Sequence, residues 1–378
     1  MTRSLRSILP ALLALAFAPP AWTPTHAPAP TARTRTYYLA ADEVTWDYVP
    51  GGQDAIAGHP YVDSAFFAKA PPQVVSTTYH KVLYREYTDS SFTTLKPRPP
   101  EWAHLGFLGP VIRAVVGDTI RVVFRNNAHR PYSVHPHGVF YDKNSEGAPY
   151  SDGVSAANKT GDSVPPAATH VYVWPVPARA GPGPMDGSSV MWMYHSHVDE
   201  VRDINSGLFG AMIITARSKA RTDGSPNDVD REIVAAFAQV HEDDSWLASE
   251  NLPSPDSIQH LQPIPSPSER QASYPWFVKF TINGFTRGSM PLSSLTLRRG
   301  QRVRWYLMSS TNDFDVHAPH WHGNTTLIAG MRTDVAVLSF MGMTIADMQP
   351  DNLGTWLFHC HVSFHNAAGM AVRYLVTP

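Results

Sequence analysis

Residues 355–370, TWLFHCHVSFHNAAGM, contain the only cysteine of a 378-residue chain, set between two histidines with a third histidine and a methionine downstream. Three histidine clusters lie upstream: HPHG (His135, His137), HSH (His195, His197) and HAPHWHG (His317, His320, His322). With His359, His361 and His365 they take ten of the chain's 18 histidines. In an extended strand, residues i and i+2 project to one face and i+1 to the other. Each of the pairs His135/His137, His195/His197, His320/His322 and His359/His361 can therefore present two imidazoles together. Eight imidazoles exceed what one ion takes, and imidazole suits copper, zinc, iron and nickel. A multinuclear centre shared between two halves of the chain is the economical reading. Cys360 projects away from its two neighbours, toward a different centre. A thiolate, two imidazoles and a distant thioether make the ligand set of a blue copper electron-transfer site. Cys360, His365 and Met370 supply three of these, and His317, at an odd offset from His320, supplies the second imidazole. The peptide His359-Cys360-His361 then joins the two centres covalently.

The bland alternatives lose by number. A single H-x-H pair is more often a hydrogen-bonded or surface pair, and a lone Cys or Met is commonly core. Four clusters together with the run C-H-x-x-x-H-x-x-x-x-M outweigh that background. Met331, Met341, Met343 and Met348 are spread through strand and turn sequence and read as packing rather than as a trap for cuprous ion.

The elements that must carry these residues read as strands. Short runs rich in β-branched and aromatic residues, such as HKVLYREYT, TIRVVFRNN, FGAMIITAR, WFVKFTING, TTLIAGM, VAVLSF and MAVRYLVTP, alternate with Gly, Pro, Asn and Asp. Long helical periodicity is missing, so the fold class is all-β, with two β-sandwiches. Each half has an opening strand, a G-(D/Q)-x-(I/V)-R-V strand (GDTIRVVF, GQRVRWYL) and two histidine clusters, which suggests a duplicated domain. The linker falls where polar turn-formers interrupt the pattern. The expected division is 37–217 for the first domain, 218–230 for the linker and 231–378 for the second. The Pro/Ser-rich run LPSPDSIQHLQPIPSPSER is expected to be an exposed excursion.

Residues 1–27 read as a secretory signal peptide with its cleavage region, followed by a flexible lead-in over 28–36. Export to the periplasm or beyond normally invites disulfides, which a lone Cys cannot form internally. The remaining roughly 340 residues suit about two domains. Net charge is −2 with both signs dispersed, which gives no case for nucleic acid, and no other apolar run is long enough for a membrane span.

LGFLGPVIRAVVGDTI, HPHGVFYDKNSEGAPYSDG, YHSHVDEVRDINSGLFGAMII, FTINGFTRGSMP and GTWLFHCHV together make the chain resemble the multicopper oxidases, specifically the ceruloplasmin-like branch and the two-domain laccases. The likeness implies two cupredoxin-like Greek-key β-sandwich domains and four coppers per chain. Carried over by position, His135 and His320 would hold type 2 copper. His137, His195, His197, His322, His359 and His361 would hold the type 3 pair, and His317, Cys360, His365 and Met370 type 1. The implied reaction is one-electron oxidation of a small reducing substrate coupled to four-electron reduction of O2 to water. Ceruloplasmin-type ferroxidases place an acid before the second type 1 histidine; here that residue is Phe364, which favours phenols or aromatic amines over ferrous iron. The alternatives are a ferroxidase or other metal-ion oxidase, a non-catalytic copper-sequestering protein and, less favoured, a copper nitrite reductase. Glu146, with Asp142 as the alternate, is the candidate acid for proton delivery near the cluster. Four imidazoles per domain point to a ring of alternating first and second domains, hence a homotrimer with clusters between chains.

Overall fold

The structure, a computed structural model, describes residues 31–68, 70, 75–252, 276–310 and 315–378. The expected leader and most of the Pro/Ser-rich excursion lie outside the described residues.

In the first half, one sheet runs in the order Thr78–Tyr87, Thr34–Asp47, Thr119–Asn126, Thr169–Pro175. The other runs Ile112–Val115, Phe209–Thr215, Ser189–His195, His135–Pro136. The second half repeats the plan. One sheet orders Val278–Ile282, Arg231–His241, Val303–Ser309, Met343–Met348, Thr326–Ile328 and Met331–Thr333; its partner orders Thr296–Arg298, Ala371–Thr377, Gly354–Cys360 and Pro319–Trp321. The repeat anticipated from GDTIRVVF and GQRVRWYL has a structural counterpart. Each of these strands lies parallel to the opening strand of its half, Thr119–Asn126 beside Thr34–Asp47 and Val303–Ser309 beside Arg231–His241.

Three cores hold the molecule, and side-chain parity assigns residues to them. On strand Phe209–Thr215, Met212 and Ile214 enter the first sandwich, while Phe209, Ala211 and Ile213 face the second half. On Arg231–His241, Ile233, Ala235 and Phe237 fill the second sandwich, while Val234, Ala236, Ala238 and Val240 face the first half. Both strands are covered on both faces, which is why their central stretches, 209–214 and 233–238, are apolar throughout instead of alternating. The third core, between the halves, also takes Met191, Met193, Tyr306 and Met308. Burying side chains of this size contributes roughly 1.5–3 kcal/mol each, so the two halves are packed as one body. A polar seam crosses the same junction, with Arg113 paired to Glu232 at 2.7 Å and Tyr306 hydrogen-bonded to Ser189.

Three sequence expectations change. TTLIAGM is a hairpin, because Ala329 and Gly330 take left-handed φ of 48° and 79° between Thr326–Ile328 and Met331–Thr333. VAVLSF forms a strand only over Leu338–Ser339, with Val335 making an isolated bridge to His320. Met331 sits on the outer strand of that hairpin and is 71 % exposed, so it is not a packing residue.

Candidate metal centres

The paired histidine motifs lie on adjacent antiparallel strands in each half. His135 faces His195 across one pair, and His320 faces His359 across the other. Each first motif ends in a tight turn at a glycine with positive φ, Gly138 at 78° and Gly323 at 74°. A Cβ there would come within 2.3 Å of the Trp192 ring or 2.4 Å of the Trp356 ring, so the turn can carry only glycine at the place where it must double back over the tryptophan. Each second motif runs into a short helix, Glu200–Ser206 or Ser363–Ala368. Each helix stops at a left-handed glycine, Gly207 or Gly369, and the chain returns beside the motif strand.

In the first half, His137 and His195 bring their Nε2 atoms to 3.1 Å, and the rings of His135 and His197 lie 5.2 Å apart. In the second half, His322 and His359 Nε2 are also 3.1 Å apart, and His320 lies 5.0 Å from His361 ring to ring. Two ligands bonded to one ion at about 2 Å and roughly right angles have this separation. The other ring nitrogens are fixed by carbonyls: His135 Nδ1 donates to Glu146 O (2.7 Å), His195 to Ser196 O (2.9 Å), His320 to Asp334 O (2.9 Å) and His359 to Cys360 O (2.8 Å). That choice of tautomer leaves each Nε2 lone pair turned to the cluster. Burial and then neighbouring imidazoles push His137 down to about 4, and burial pushes His359 to about 4, so both are neutral ligands at pH 7.

Among the described residues the two quartets make no ring contact with each other, and His322 and His361 are exposed. The structure thus brings the eight imidazoles together as two half-sites of four.

The second centre is dry. Cys360, His317 and Met370 are fully buried and His365 is 4 % exposed. His365 Nδ1 lies 3.5 Å and His317 Nδ1 3.8 Å from Cys360 Sγ. Metal–ligand bonds of about 2.0–2.3 Å at trigonal angles would set nitrogen and sulfur about 3.7 Å apart. The residues present therefore fit a metal ion. Ala318 N–H points at Sγ at 3.3 Å, and Met370 O accepts the Cys360 N–H at 3.0 Å, anchoring the strand that carries Met370 into the same core. Burial pushes the Cys360 thiol up and His317 down to about 3. A thiol raised in this way is a poor nucleophile at neutral pH, whereas a bound cation would deprotonate it.

The candidate acids are placed differently from one another. Glu146 is 7 % exposed; its carbonyl orients His135, while its carboxylate pairs with Lys143 at 2.7 Å and accepts from the Tyr150 hydroxyl at 2.9 Å. Asp142 is exposed at the start of the 3-10 turn Lys143–Ser145, its carbonyl accepting Ser145 N–H. Three acids beside the ligands were not singled out in the sequence; one of them, Asp334, has its carboxylate 3.9 Å from His320 Nδ1. Glu200, three residues after His197 and legible in HSHVDE, has its carboxylate 3.6 Å from His197 Nε2 and 3.9 Å from His195 Nε2. Asp315 lies 2.8 Å from His365 Nε2, a contact across fifty residues that carries no local signal.

Residues 102–219 and 262–378 each match a multicopper oxidase family profile. The chain belongs to the multicopper oxidases. Similar curated proteins are human ferroxidase HEPHL1, 39 % identical over 91 % of this chain, human hephaestin, 38 % over 91 %, and human ceruloplasmin, 38 % over 90 %. The chain spans 29 % of the length of the first two and 32 % of the third. Among solved structures, the multicopper oxidase mgLAC matches with TM-score 0.57 at 17 % identity, over 92 % of this chain and 88 % of that one. Copper nitrite reductase from Nitrosomonas europaea matches with TM-score 0.56 at 15 % identity, over 91 % and 94 %. These two likenesses show the shared cupredoxin fold. For a multicopper oxidase the metal is copper, and the expected all-β architecture is the one found. No helix among the described residues is long and apolar enough to cross a membrane.

Proposed function

We propose that this multicopper oxidase oxidises a small donor one electron at a time and passes the electrons to O2. The observation that carries the reading is the pair of convergent ligand sets joined through His359-Cys360-His361. Copper, when bound, would supply the redox chemistry: one ion at His317, Cys360, His365 and Met370, and three among the eight paired imidazoles. The protein's own residues fix the nitrogen tautomers, keep water from the thiolate and give the electron a covalent route of one peptide unit. A non-catalytic copper store would need neither that route nor buried, tautomer-fixed pairs. Glu146 is the proposed acid for proton delivery, with Asp142 as the alternate, and Glu146→Gln should slow turnover several-fold while leaving the visible spectrum unchanged.

Ferrous iron is the donor the relatives favour, since HEPHL1 is itself named a ferroxidase. An aromatic donor is the second reading, and a specific feature favours it. Phe364 precedes His365 and packs edge-on against Phe280 at 5.4 Å and Phe66 at 6.2 Å, an apolar surface that cannot bind a hard cation. Steady-state specificity constants for ferrous ion and dimethoxyphenol, measured on one copper-loaded preparation, decide between them. A ferrous value well above the phenol's establishes the ferroxidase reading.

The half-sites further suggest that the cluster closes between chains. Exposed Phe140, Tyr141 and Val201 border the first quartet, while His322 and His361 leave the second open. Head-to-tail contact would join a first domain to the next chain's second domain, and a homotrimer closes that pattern into a ring of six sandwiches. Export, as the first 27 residues suggest, would place the protein in the periplasm or outside the cell. Copper quantitation with a visible spectrum, followed by light scattering, tests the four-copper content and the trimer on one sample. A fully active monomer would rule out the trimer.

A further inference from the structure

His365 turns one nitrogen to Cys360 and the other outward. Its Nδ1 is 3.5 Å from the thiol sulfur, and its Nε2 is 2.8 Å from Asp315 Oδ2. The acid is itself held. Gln239, 3 % exposed on strand Arg231–His241, donates its side-chain amide to the same Oδ2, and Val316 N–H donates to Oδ1 at 2.6 Å. The Gln239 amide nitrogen also lies 3.4 Å from His365 Nε2, and the Phe280 ring packs 5.3 Å from the imidazole. The other imidazole of this centre has no such partner: His317 Nε2 is buried without a hydrogen bond among the described residues. The two histidines are therefore electronically unequal.

We propose that Asp315 is a positioning residue that holds the reduction potential of the Cys360 copper centre low. The inference rests on the copper reading above. With Nδ1 committed to the metal, the ring proton sits on Nε2 and is donated to a carboxylate. That bond makes the imidazole a stronger electron donor. The nearby negative charge also favours the more positive, oxidised metal. Both effects stabilise the oxidised over the reduced form, and Gln239, by donating to the same oxygen, weakens both. A low potential selects easily oxidised donors, ferrous ion or dihydroxy aromatics, over simple phenols.

Redox titration of the thiolate–copper band in the full copper-loaded protein tests this. Asp315→Asn removes the charge and should shift the reduction equilibrium toward the reduced form about tenfold, a rise of about 59 mV for one electron. Gln239→Met removes a competing donor while keeping the volume, and should shift the potential the opposite way, by a smaller factor. A general loosening of the site would not give opposite signs. An Asp315→Asn protein that keeps its band with an unchanged or lowered potential overturns the inference, as does a Gln239→Met shift in the same direction. If Asp315→Asn binds no copper, Gln239→Met decides alone: a lowered potential supports the assignment and any other result overturns it. A wild-type protein that takes up copper without a thiolate band defeats the underlying copper reading itself, and with it the inference.

Discussion

Ser196 and Cys360 occupy equivalent places in the two halves. Each sits between two paired histidines, each N–H donates to the residue after the helix-ending glycine, Leu208 O or Met370 O, and each side-chain atom accepts from the first domain's Ser133 N–H or the second's Ala318 N–H. Counting back from Gly207 and Gly369 makes Asp203 the counterpart of His365 and Leu208 that of Met370. Counting from His135 and His320 makes Tyr132 the counterpart of His317. The same backbone thus holds Cys, His, His and Met in one half and Ser, Asp, Tyr and Leu in the other. In the first half the pocket is closed by hydrogen bonds: Ser196 Oγ donates to Asp203 Oδ2 at 2.6 Å, and Asp203 also accepts from Trp246 Nε1 at 2.9 Å and Val198 N–H at 3.0 Å. What the fold conserves between the halves is the geometry that presents paired imidazoles. What differs is whether the residues beneath them form a candidate metal-ligand set or a hydrogen-bonded buried carboxylate.

The largest effect should come from exchanging the residues that define this difference. Cys360→Ser is expected to abolish the thiolate band and lower copper by one equivalent per chain. Donor oxidation should drop by at least ~100-fold, since the centre loses its electron-carrying ligand. Ser196→Cys made in the Cys360→Ser background should stay colourless, because Asp203 and Leu208 supply neither imidazole nor thioether. A blue double variant would show that a thiolate at this place needs none of the ligands found in the second half.

Mixing chains tests whether the two quartets meet across a chain boundary. A chain carrying His195→Ala and His197→Ala lacks a working first-domain half-site; one carrying His359→Ala and His361→Ala lacks the second. Each should be inactive alone. Unfolded together in equal amounts and reassembled with copper, they should recover about a quarter of wild-type turnover, because a quarter of head-to-tail junctions would pair two intact halves. No recovery, with both proteins folded, would place each cluster within one chain.

A smaller effect concerns the carboxylate that replaces the metal centre. Burial pushes Asp203 up to about 6 despite the donors around it. The native state therefore keeps a proton that the unfolded chain releases near the usual aspartate value. Between those two values the folded form binds more protons, so this group makes stability fall as pH rises from about 4 to about 6, by about 3 kcal/mol in all. In the metal-free protein His137, His359 and His317, pushed down by burial, make stability rise with pH over the same range, so urea denaturation should show a rise that Asp203 blunts and that Asp203→Asn steepens. A pH dependence unchanged by the substitution would mean that Asp203 does not titrate in that range. Lost acceptor capacity would lower stability at all pH values without changing the slope.

Much of the site was legible in the chain because the chemistry is written at short range. The i, i+2 spacing on a strand puts two imidazoles on one face whatever surrounds it, and the intervening Cys360 must then face the other way. The duplicated GDTIRVVF and GQRVRWYL strands, the turn glycines Gly138 and Gly323 and the alternation of apolar residues likewise follow from local sterics and periodicity. Tertiary structure decided which of these elements meet. His317 reaches Cys360 only because strand Pro319–Trp321 pairs with Gly354–Cys360. Gln239 reaches His365 only because Arg231–His241 lies in the facing sheet, and Asp315 because it stands two residues before His317, whose ring lies 5.1 Å from that of His365. The exposure of Met331 depends on a hairpin set by Ala329 and Gly330 rather than on its own hydrophobicity. Such contacts join residues tens to more than a hundred positions apart, where loop closure and sheet packing, not neighbouring side chains, fix the distance. The sequence alone therefore determined the candidate ligands and their faces, and the packed fold alone determined that Asp315 stands beside them and that each half presents four imidazoles as a separate, open set.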